Sequence, residues 1–529
     1  MRRTLITFAA ALSLVAACTN EKSVSSTQSN SATSAAQSPD TSAPDDTAPD
    51  DTAAPDTTPD DTNPDTTVSA GDAAFGWEDF GGDGTVQTGH LEVPINYDDP
   101  SQGTFDLYVA RHLAADPSKR IGSLLVNPGG PGFGGSDFAV YADQVYGQDL
   151  LDSFDIIGWD PRGTGLTTPA IDCTDDYDHF YASLDITPDD AAERQQIVDT
   201  AKEFANDCAT KNADILDFVG TNNSARDMNA IREALGEEQI SYFGFSYGSE
   251  LGATWATLFP DTVRAAVLDG AADPTADYIE SGKQQSIGFE NALTTFLQQC
   301  SDDPTCTFHN GGDAAGAFDA LMASIDENPL PSVNGRPAVN RQVAVSGVIE
   351  AMYSDQLWDQ LAQALTIAQK GDGGGLLDLY DQYYARSADG TYENSLEAFQ
   401  SIYCMDTTER LTVAQEDAAA PEFQAISPRL SPGDTGTYFC TFFPPATDPR
   451  VEITGKGAGP ILVMGTTGDS ATPLAGTRVM ADSLEDGRLV IVTGNQHTGY
   501  GVNKCSSDTV DQYLLDPVAN APADGTECP

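Results

Sequence analysis

Three side chains in this chain of 529 residues have the types and the order that acyl transfer requires: Ser246, Asp469 and His497. A serine hydroxyl is a poor nucleophile at its own pKa and attacks a carbonyl carbon only when a neighbouring base takes its proton. An imidazole is suited to that task, and a carboxylate behind it holds one tautomer and stabilises the cation that forms. Ser246 stands at the centre of Gly244-Phe-Ser-Tyr-Gly248. In a chain with 48 glycines a bare G-x-S-x-G carries little weight. Its setting carries more. A β-prone run from Ile240 ends there and a helix-prone run, Glu250 to Phe259, follows, so the serine sits on a sharp strand-to-helix turn that lifts its hydroxyl above a sheet.

His497 lies in Thr-Gly-Asn-Gln-His-Thr-Gly, past the apolar run Leu489–Val492, and Asp469 lies in Gly-Thr-Thr-Gly-Asp, past Ile461–Met464. The carboxyl ends of strands are where reacting groups gather in open α/β sheets. A lone loop histidine reads as a surface residue, but this one alone follows both partners: His90, His112 and His179 precede the serine, and His309 precedes Asp469. Among 81 acidic residues Asp469 is singled out by position, with Asp406 as a competitor. The order Ser, Asp, His is that of α/β-hydrolases. The charge developing on the attacked carbonyl oxygen needs backbone N–H donors. Tyr247, directly after the serine, supplies one. The other comes from Gly129-Gly-Pro-Gly132, with Gly130 the first choice and Gly132 the second, because Pro131 has no N–H.

The elements that must position these groups read as a mostly parallel sheet with helices on both faces. Two alternating runs, His90–Asn96 and Thr104–Ala110, are joined by a turn-rich link and form a hairpin. Fully apolar strands follow: Ile121–Val126, entering the glycine-rich loop Asn127–Gly135, and Phe154–Trp159, entering Asp160-Pro-Arg-Gly-Thr-Gly165, where Arg162 can tie the loop down. After the serine turn, Val263–Gly270 is another buried strand. Amphipathic helical runs then dominate, including Gly288–Cys300, Ala344–Gln369 and Leu376–Arg386, until strand patterns resume at residue 459. The simplest account is an α/β-hydrolase core over 73–272 and 451–529, with a helical cap over 273–450 inserted between core strands.

The first residues belong to neither part. Arg2 and Arg3 precede an apolar run, Leu5–Ala17, too short for a membrane span of about 20 residues, which reads as a signal peptide over 1–17. Val15-Ala-Ala-Cys18 resembles a lipobox, which makes Cys18 the lipidated mature N-terminus and the only membrane contact; ordinary cleavage and full secretion is the alternative. Residues 18–72, rich in Ser, Thr, Ala, Pro and Asp, cannot bury a core and read as a disordered tether. The formal charge of -56 contains -8 from residues 1–72 (eleven acidic against Arg2, Arg3 and Lys22), leaving -48 on the rest. Such a surface repels nucleic acid. Apart from Cys18, eight cysteines remain, suited to an oxidising compartment. Eight allow 105 pairings; proximity favours Cys173–Cys208, Cys300–Cys306, Cys404–Cys440 and Cys505–Cys528. No C-x-x-C or paired Cys/His spacing offers a metal site, and the serine chemistry needs no cofactor.

Four stretches together carry a family resemblance: Asn127-Pro-Gly-Gly-Pro-Gly-Phe-Gly-Gly135, Asp160–Gly165, Gly244-Phe-Ser-Tyr-Gly-Ser-Glu-Leu-Gly-Ala253 and Leu258-Phe-Pro-Asp-Thr-Val-Arg-Ala-Ala-Val-Leu-Asp-Gly270. From about Gly76 onward the chain resembles the secreted tripeptidyl aminopeptidases, within the prolyl-aminopeptidase-like α/β-hydrolases of actinobacteria. The resemblance implies a serine exopeptidase that removes short peptides or single residues from a free N-terminus. It also implies a cap acid that binds the substrate ammonium, for which Glu290 and Asp406 are the candidates; Glu250, on the helix after Ser246, reads as structural. Esterase or amidase action on small substrates is the alternative, and a catalytically inactive surface-binding lipoprotein a third reading. Epoxide-hydrolase or dehalogenase chemistry is disfavoured because the turn carries serine rather than aspartate.

Overall fold

The computed structural model describes residues 70–529 apart from 332–335, 432 and 434; the expected signal peptide, Cys18 and nearly all of the tether lie outside the described residues. Ten strands form one sheet: β1 Glu78–Asp79, β2 Val86–Pro94, β3 Thr104–His112, β4 Gly122–Asn127, β5 Phe154–Trp159, β6 Ile240–Phe245, β7 Val263–Asp269, β8 Ile461–Thr466, β9 Gly487–Val492 and β10 Thr526–Cys528. Their order is β1-β2-β3-β5-β4-β6-β7-β8-β9-β10. The first three strands and the β3–β5 pair are antiparallel, and the rest of the sheet is parallel. The hairpin is β2–β3, paired from Val86↔His112 to Pro94↔Thr104.

Strands β4, β5 and β6 lack the apolar/polar alternation of a half-exposed strand because both of their faces are covered. In β6, Ile240 and Tyr242 enter one hydrophobic core while Phe243 and Phe245 enter the core on the opposite face. Leu125 against Leu124 and Val126 in β4, and Ile157 against Ile156 in β5, divide in the same way. This period of two follows from the pleat. It anchors the rigid sheet whose carboxyl edge carries the loops of interest.

Between β7 and β8 the chain is helical, and its helices share a third core that includes Phe296, Leu297, Val348, Leu361 and Tyr380. The helix anticipated at Gly288 starts at Tyr278, where Asp277 caps it by accepting from Glu280 N–H (2.8 Å). The run Ala344–Gln369, read as one helix, is two: Arg341–Met352 and Trp358–Ala368. Ser354 makes the break, its hydroxyl accepting from Gln356 N–H (3.3 Å). A second excursion, before β6, joins this layer. Glu397 of the helix Ser395–Met405 accepts from the N–H groups of Cys173 and Thr174, and Asn394 donates to Gly163 O (3.0 Å) and Ile171 O (2.9 Å). The eight described cysteines form Cys173–Cys208, Cys300–Cys306, Cys404–Cys440 and Cys505–Cys528.

Arg162 fixes the loop after β5. Wholly buried, it donates through Nε and Nη2 to Asp227 (2.7 and 2.5 Å) and through Nη1 to Ile95 O and Phe218 O (3.0 Å each). Asp160, in the same loop, accepts from Ser136 N–H (3.0 Å) and Leu166 N–H (2.8 Å) and so holds the end of the glycine-rich loop. Removing one partner of a buried ion pair leaves an uncompensated charge. Asp227→Ala is therefore expected to lower stability by about 3–5 kcal/mol in urea unfolding, whereas replacing Arg162 and Asp227 together with apolar residues of matching volume should cost clearly less.

Candidate active site

Ser246 directly follows β6 and stands at the N-cap position of the helix Tyr247–Leu258, without a capping hydrogen bond from its side chain. Its backbone is in the left-handed region, φ 53° and ψ −125°, a strained conformation for a residue with a Cβ. The strain is held in place from several sides. Ser246 N–H donates to Asp269 O (2.7 Å), its own carbonyl accepts from Ser249 N–H (2.8 Å), and Tyr242 Oη donates to Gly248 O (2.7 Å). The side chain is half-buried, so its hydroxyl can be reached.

The glycine-rich loop after β4 lies against this turn. At Gly129, φ is 105°, and a Cβ would stand 2.6 Å from Phe245 O and 2.8 Å from Ser246 Cβ, closer than a side chain permits. The backbones of the loop and the turn are therefore in contact. Gly129 N–H is taken by Asn127 Oδ1 (3.0 Å), whereas none of the described hydrogen bonds uses the N–H of Gly130 or of Tyr247, the first residue of its helix. Gly132 faces elsewhere: a Cβ there would stand 2.2 Å from Ser395 O of the cap. The loop glycine in contact with the serine turn is thus Gly129; Gly130 follows it directly, with Phe133 as its own neighbour, and Gly132 lies beneath the cap.

His497 and Asp469 are both buried, at 3% and 4% exposure, which leaves their contact unscreened by solvent. Nδ1 of the imidazole meets both carboxylate oxygens (2.9 and 3.0 Å) and Thr472 Oγ1 (3.2 Å). The carboxylate also accepts from the N–H groups of Ala471 (3.0 Å), Thr472 (2.7 Å) and Thr498 (3.2 Å). With Nδ1 held as donor, Nε2 is left as the base; it is buried and takes none of the described hydrogen bonds. Burial disfavours the imidazolium, but the charge and hydrogen bond of Asp469, and then the charge of Asp269, outweigh it and raise His497 above the ordinary 6.5.

Serine and imidazole meet across Asp269 and Gly270. Asp269 O holds the serine N–H (2.7 Å), and a Cβ on Gly270 would stand 3.1 Å from His497 Cε1. Ser246 Oγ and Nε2 are not hydrogen-bonded to each other, a separation that substrate binding commonly closes. The cap completes the site. Tyr353, at the helix break, accepts from His497 N–H on its carbonyl (2.9 Å) and sets its ring edgewise to the imidazole, centroids 5.6 Å apart. Against the loop of Asp469 lies the helix Tyr278–Asp302, where a Cβ on Gly288 would stand 2.1 Å from Ser470 O.

The two acids considered for an ammonium ion are occupied. Glu290 accepts from Arg429 Nη1 (3.2 Å), Arg429 N–H (3.1 Å) and Ser427 Oγ (3.2 Å). Asp406 accepts from Thr221 N–H and Oγ1 (2.6 Å each) and so caps the helix Thr221–Leu235. Neither presents a free oxygen pair. Glu250 pairs with Arg450. Sequence reasoning missed Thr472, Tyr353 and Asp269, and also Glu350 of the helix Arg341–Met352. The last had a faint signal: it is the only acid in Val343-Ala-Val-Ser-Gly-Val-Ile-Glu-Ala-Met352.

Comparison with known proteins agrees with this geometry. Residues 122–504 match the model of the alpha/beta hydrolase fold. The chain is 35% identical over 465 residues to the serine protease Hip1 of Mycobacterium tuberculosis, covering 84% of this chain and 88% of that one. It is 36% identical over 449 residues to carboxylesterase B of the same organism, covering 82% and 84%. To the tripeptidyl aminopeptidase of Streptomyces coelicolor it is 29% identical over 464 residues, 84% of each chain.

Asp469→Asn keeps the shape of the side chain but favours the wrong tautomer of the ring, so hydrolysis should fall by roughly 10⁴ in kcat. Covalent labelling by a fluorophosphonate should disappear in Ser246→Ala. Because labelling needs the neutral imidazole, its rate in the wild type should rise with pH through a midpoint above 6.5. A midpoint at or below that value, measured from labelling rates between pH 5 and 9, would contradict the assigned geometry.

Proposed function

This chain belongs to the α/β-hydrolase fold family and is a serine hydrolase, and on that premise we propose that it is an exported aminopeptidase acting on peptides with a free N-terminus. Ser246 attacks the scissile carbonyl, His497 takes the hydroxyl proton through Nε2 and returns it to the leaving amine, and Asp469 orients and stabilises the imidazolium. The N–H groups of Tyr247 and Gly130 face the developing oxyanion. Water then repeats the sequence on the acyl-enzyme and releases the N-terminal fragment. Eight cysteines paired as four disulfides suit an extracytoplasmic site, as do the signal-like residues 1–17 and Cys18.

The observation that carries the aminopeptidase reading is Glu350. It is 7% exposed, its carboxyl accepts none of the described hydrogen bonds, and burial alone pushes that carboxyl up to about 8. Glu350 and Asp469 both act on the phenol of Tyr353, which burial first of all, then Tyr383 and these two carboxylates, push well above its usual range. The acid is thus one helical turn from the residue whose carbonyl holds His497 N–H. A buried carboxyl without a partner is costly in its charged form, and a cation entering the site removes that cost. The α-amino group of a peptide, with a pKa of about 7.7–8.0, is matched to it: a neutral amine and a neutral acid enter, and an ammonium carboxylate pair forms by one proton transfer.

A second reading, esterase or amidase action, is favoured by the carboxylesterase name of one relative and differs in requiring no amine. The two are separated by a peptide p-nitroanilide and its N-acetylated twin. With an aminopeptidase, the free-amine substrate is hydrolysed far faster. Glu350→Gln should lower its kcat/KM by about 2 kcal/mol, roughly thirtyfold, the scale of losing one member of a buried pair, and leave the acetylated substrate unchanged. Below pH 7 the wild-type KM for the free amine should rise, because Glu350 must then release a proton to bind an ammonium ion that is already charged. Equal rates on the twin substrates would remove this reading and leave the esterase.

A further inference from the structure

We propose that Asp269 is a positioning residue that locks the nucleophile turn to the histidine loop and adds a second negative charge behind the imidazole. The inference rests on the reading of Ser246 and His497 as nucleophile and base, but it concerns a group that the reaction itself does not touch.

Asp269 ends β7, the strand beside β6, and is completely buried. Its backbone and side chain work in different directions. The carbonyl oxygen accepts from Ser246 N–H (2.7 Å), so the strained φ of the serine is fastened to this residue. The carboxylate accepts from Gly499 N–H on Oδ1 (2.7 Å) and from Tyr500 N–H on Oδ2 (2.8 Å), the two peptide groups that end the turn carrying His497. Within that turn Thr498 has φ 73°, an unfavourable conformation for a β-branched residue that needs external support. Gly270 completes the contact by lying against His497 Cε1. One residue therefore links both reacting groups, from opposite loops, through three hydrogen bonds.

No arginine or lysine is among the groups acting on the Asp269 carboxylate. The titrating groups that face it are His497, which favours its charge, and Asp469, which opposes it. Burial pushes it up to about 7, against the two N–H donors and the imidazole. Its charge in turn is one of the causes that raise His497. The imidazole thus has one carboxylate in hydrogen-bond contact and another at longer range. The first fixes the tautomer; the second fixes the loop and favours the cation that forms as the serine proton is taken.

Asp269→Asn tests this, because it keeps the volume, removes the charge and can accept only one of the two N–H groups well. In the otherwise intact chain the rate of fluorophosphonate labelling at Ser246 should fall by about ten- to a hundredfold, the scale of a displaced reacting group. The acid limb of its pH profile should move to lower pH, since a ring with one fewer negative neighbour loses its proton more readily. Loosening of the fold alone would lower the rate without moving the limb. A folded variant with an unchanged melting temperature that labels at the wild-type rate, with an unmoved limb, overturns the proposal. If the asparagine chain does not fold, Asp269→Ser decides by the same two readouts: slower labelling with the acid limb at lower pH supports the proposal, and a wild-type rate or an unmoved limb overturns it. Labelling of His497→Ala at the wild-type rate would instead defeat the underlying reading of the base.

Discussion

A buried imidazole with one nitrogen fully engaged and the other left open is the constraint around which this molecule is arranged. Nδ1 of His497 is gripped by Asp469 at 2.9–3.0 Å, with Thr472 beside it at 3.2 Å. Its backbone N–H is held by the cap through Tyr353 O (2.9 Å), and its turn is held from below by Asp269. Nε2 is buried and takes none of the described hydrogen bonds. An unpaired buried polar atom costs of the order of 1–3 kcal/mol, and a fold keeps one only when the surroundings fix it from every other side. The rigid sheet, the tied loops and the docked cap supply that fixation.

The same reasoning separates the buried acids. Glu290 is paired with Arg429, and Asp406, pushed up to about 7 by burial, is held by Thr221 N–H and Oγ1 as a helix cap. Glu350 has no such partner, and Asp269 has N–H donors but no cation. One belongs to the helix that ends at Tyr353, the other to the strand end beneath the turn of His497. A carboxylate left uncompensated in a low-dielectric setting is a source of field, and where that field points determines what it does. The proposed role of Glu350 is to select a cation, and that of Asp269 is to favour a proton on the ring.

The parts that could be read from the chain are those whose signal is local. β4, β5 and β6 announce themselves as unbroken apolar runs because both of their faces are covered; Ser246 follows β6 directly, and Asp469 and His497 lie in the loops just past β8 and β9. The helical character of the segment between β7 and β8 was equally plain from its periodicity. The break at Tyr353–Ser354 was not, since Ser354 differs little from the other small residues of that stretch, and the break places a carbonyl against a loop some 140 residues away. Thr472 and Asp269 were hidden for the same reason. A threonine near an acid and an aspartate at a strand end are common, and their meaning comes only from the approach of residues 497–500. Glu350 was a lone acid on an apolar helix, which by itself does not say whether a partner waits across the interface.

Tyr353 explains why chemistry and selection need not vary independently on this fold. The serine, the imidazole and the donors for the oxyanion belong to loops at the carboxyl edge of the sheet, while Glu350 belongs to a cap helix. If the cap were a passive cover, its acids could change without consequence for the base. Here the residue that ends the helix of Glu350 is also the one that accepts from His497 N–H and sets its ring against the imidazole. On the proposed reading, a ligand that draws Glu350 toward its charge would act on a helix end in direct contact with His497, and so join recognition of the amine to the orientation of Nε2. A small ester that lacks an amine leaves that strut unloaded. On that reading a change in the cap alters both what is bound and how the imidazole is held.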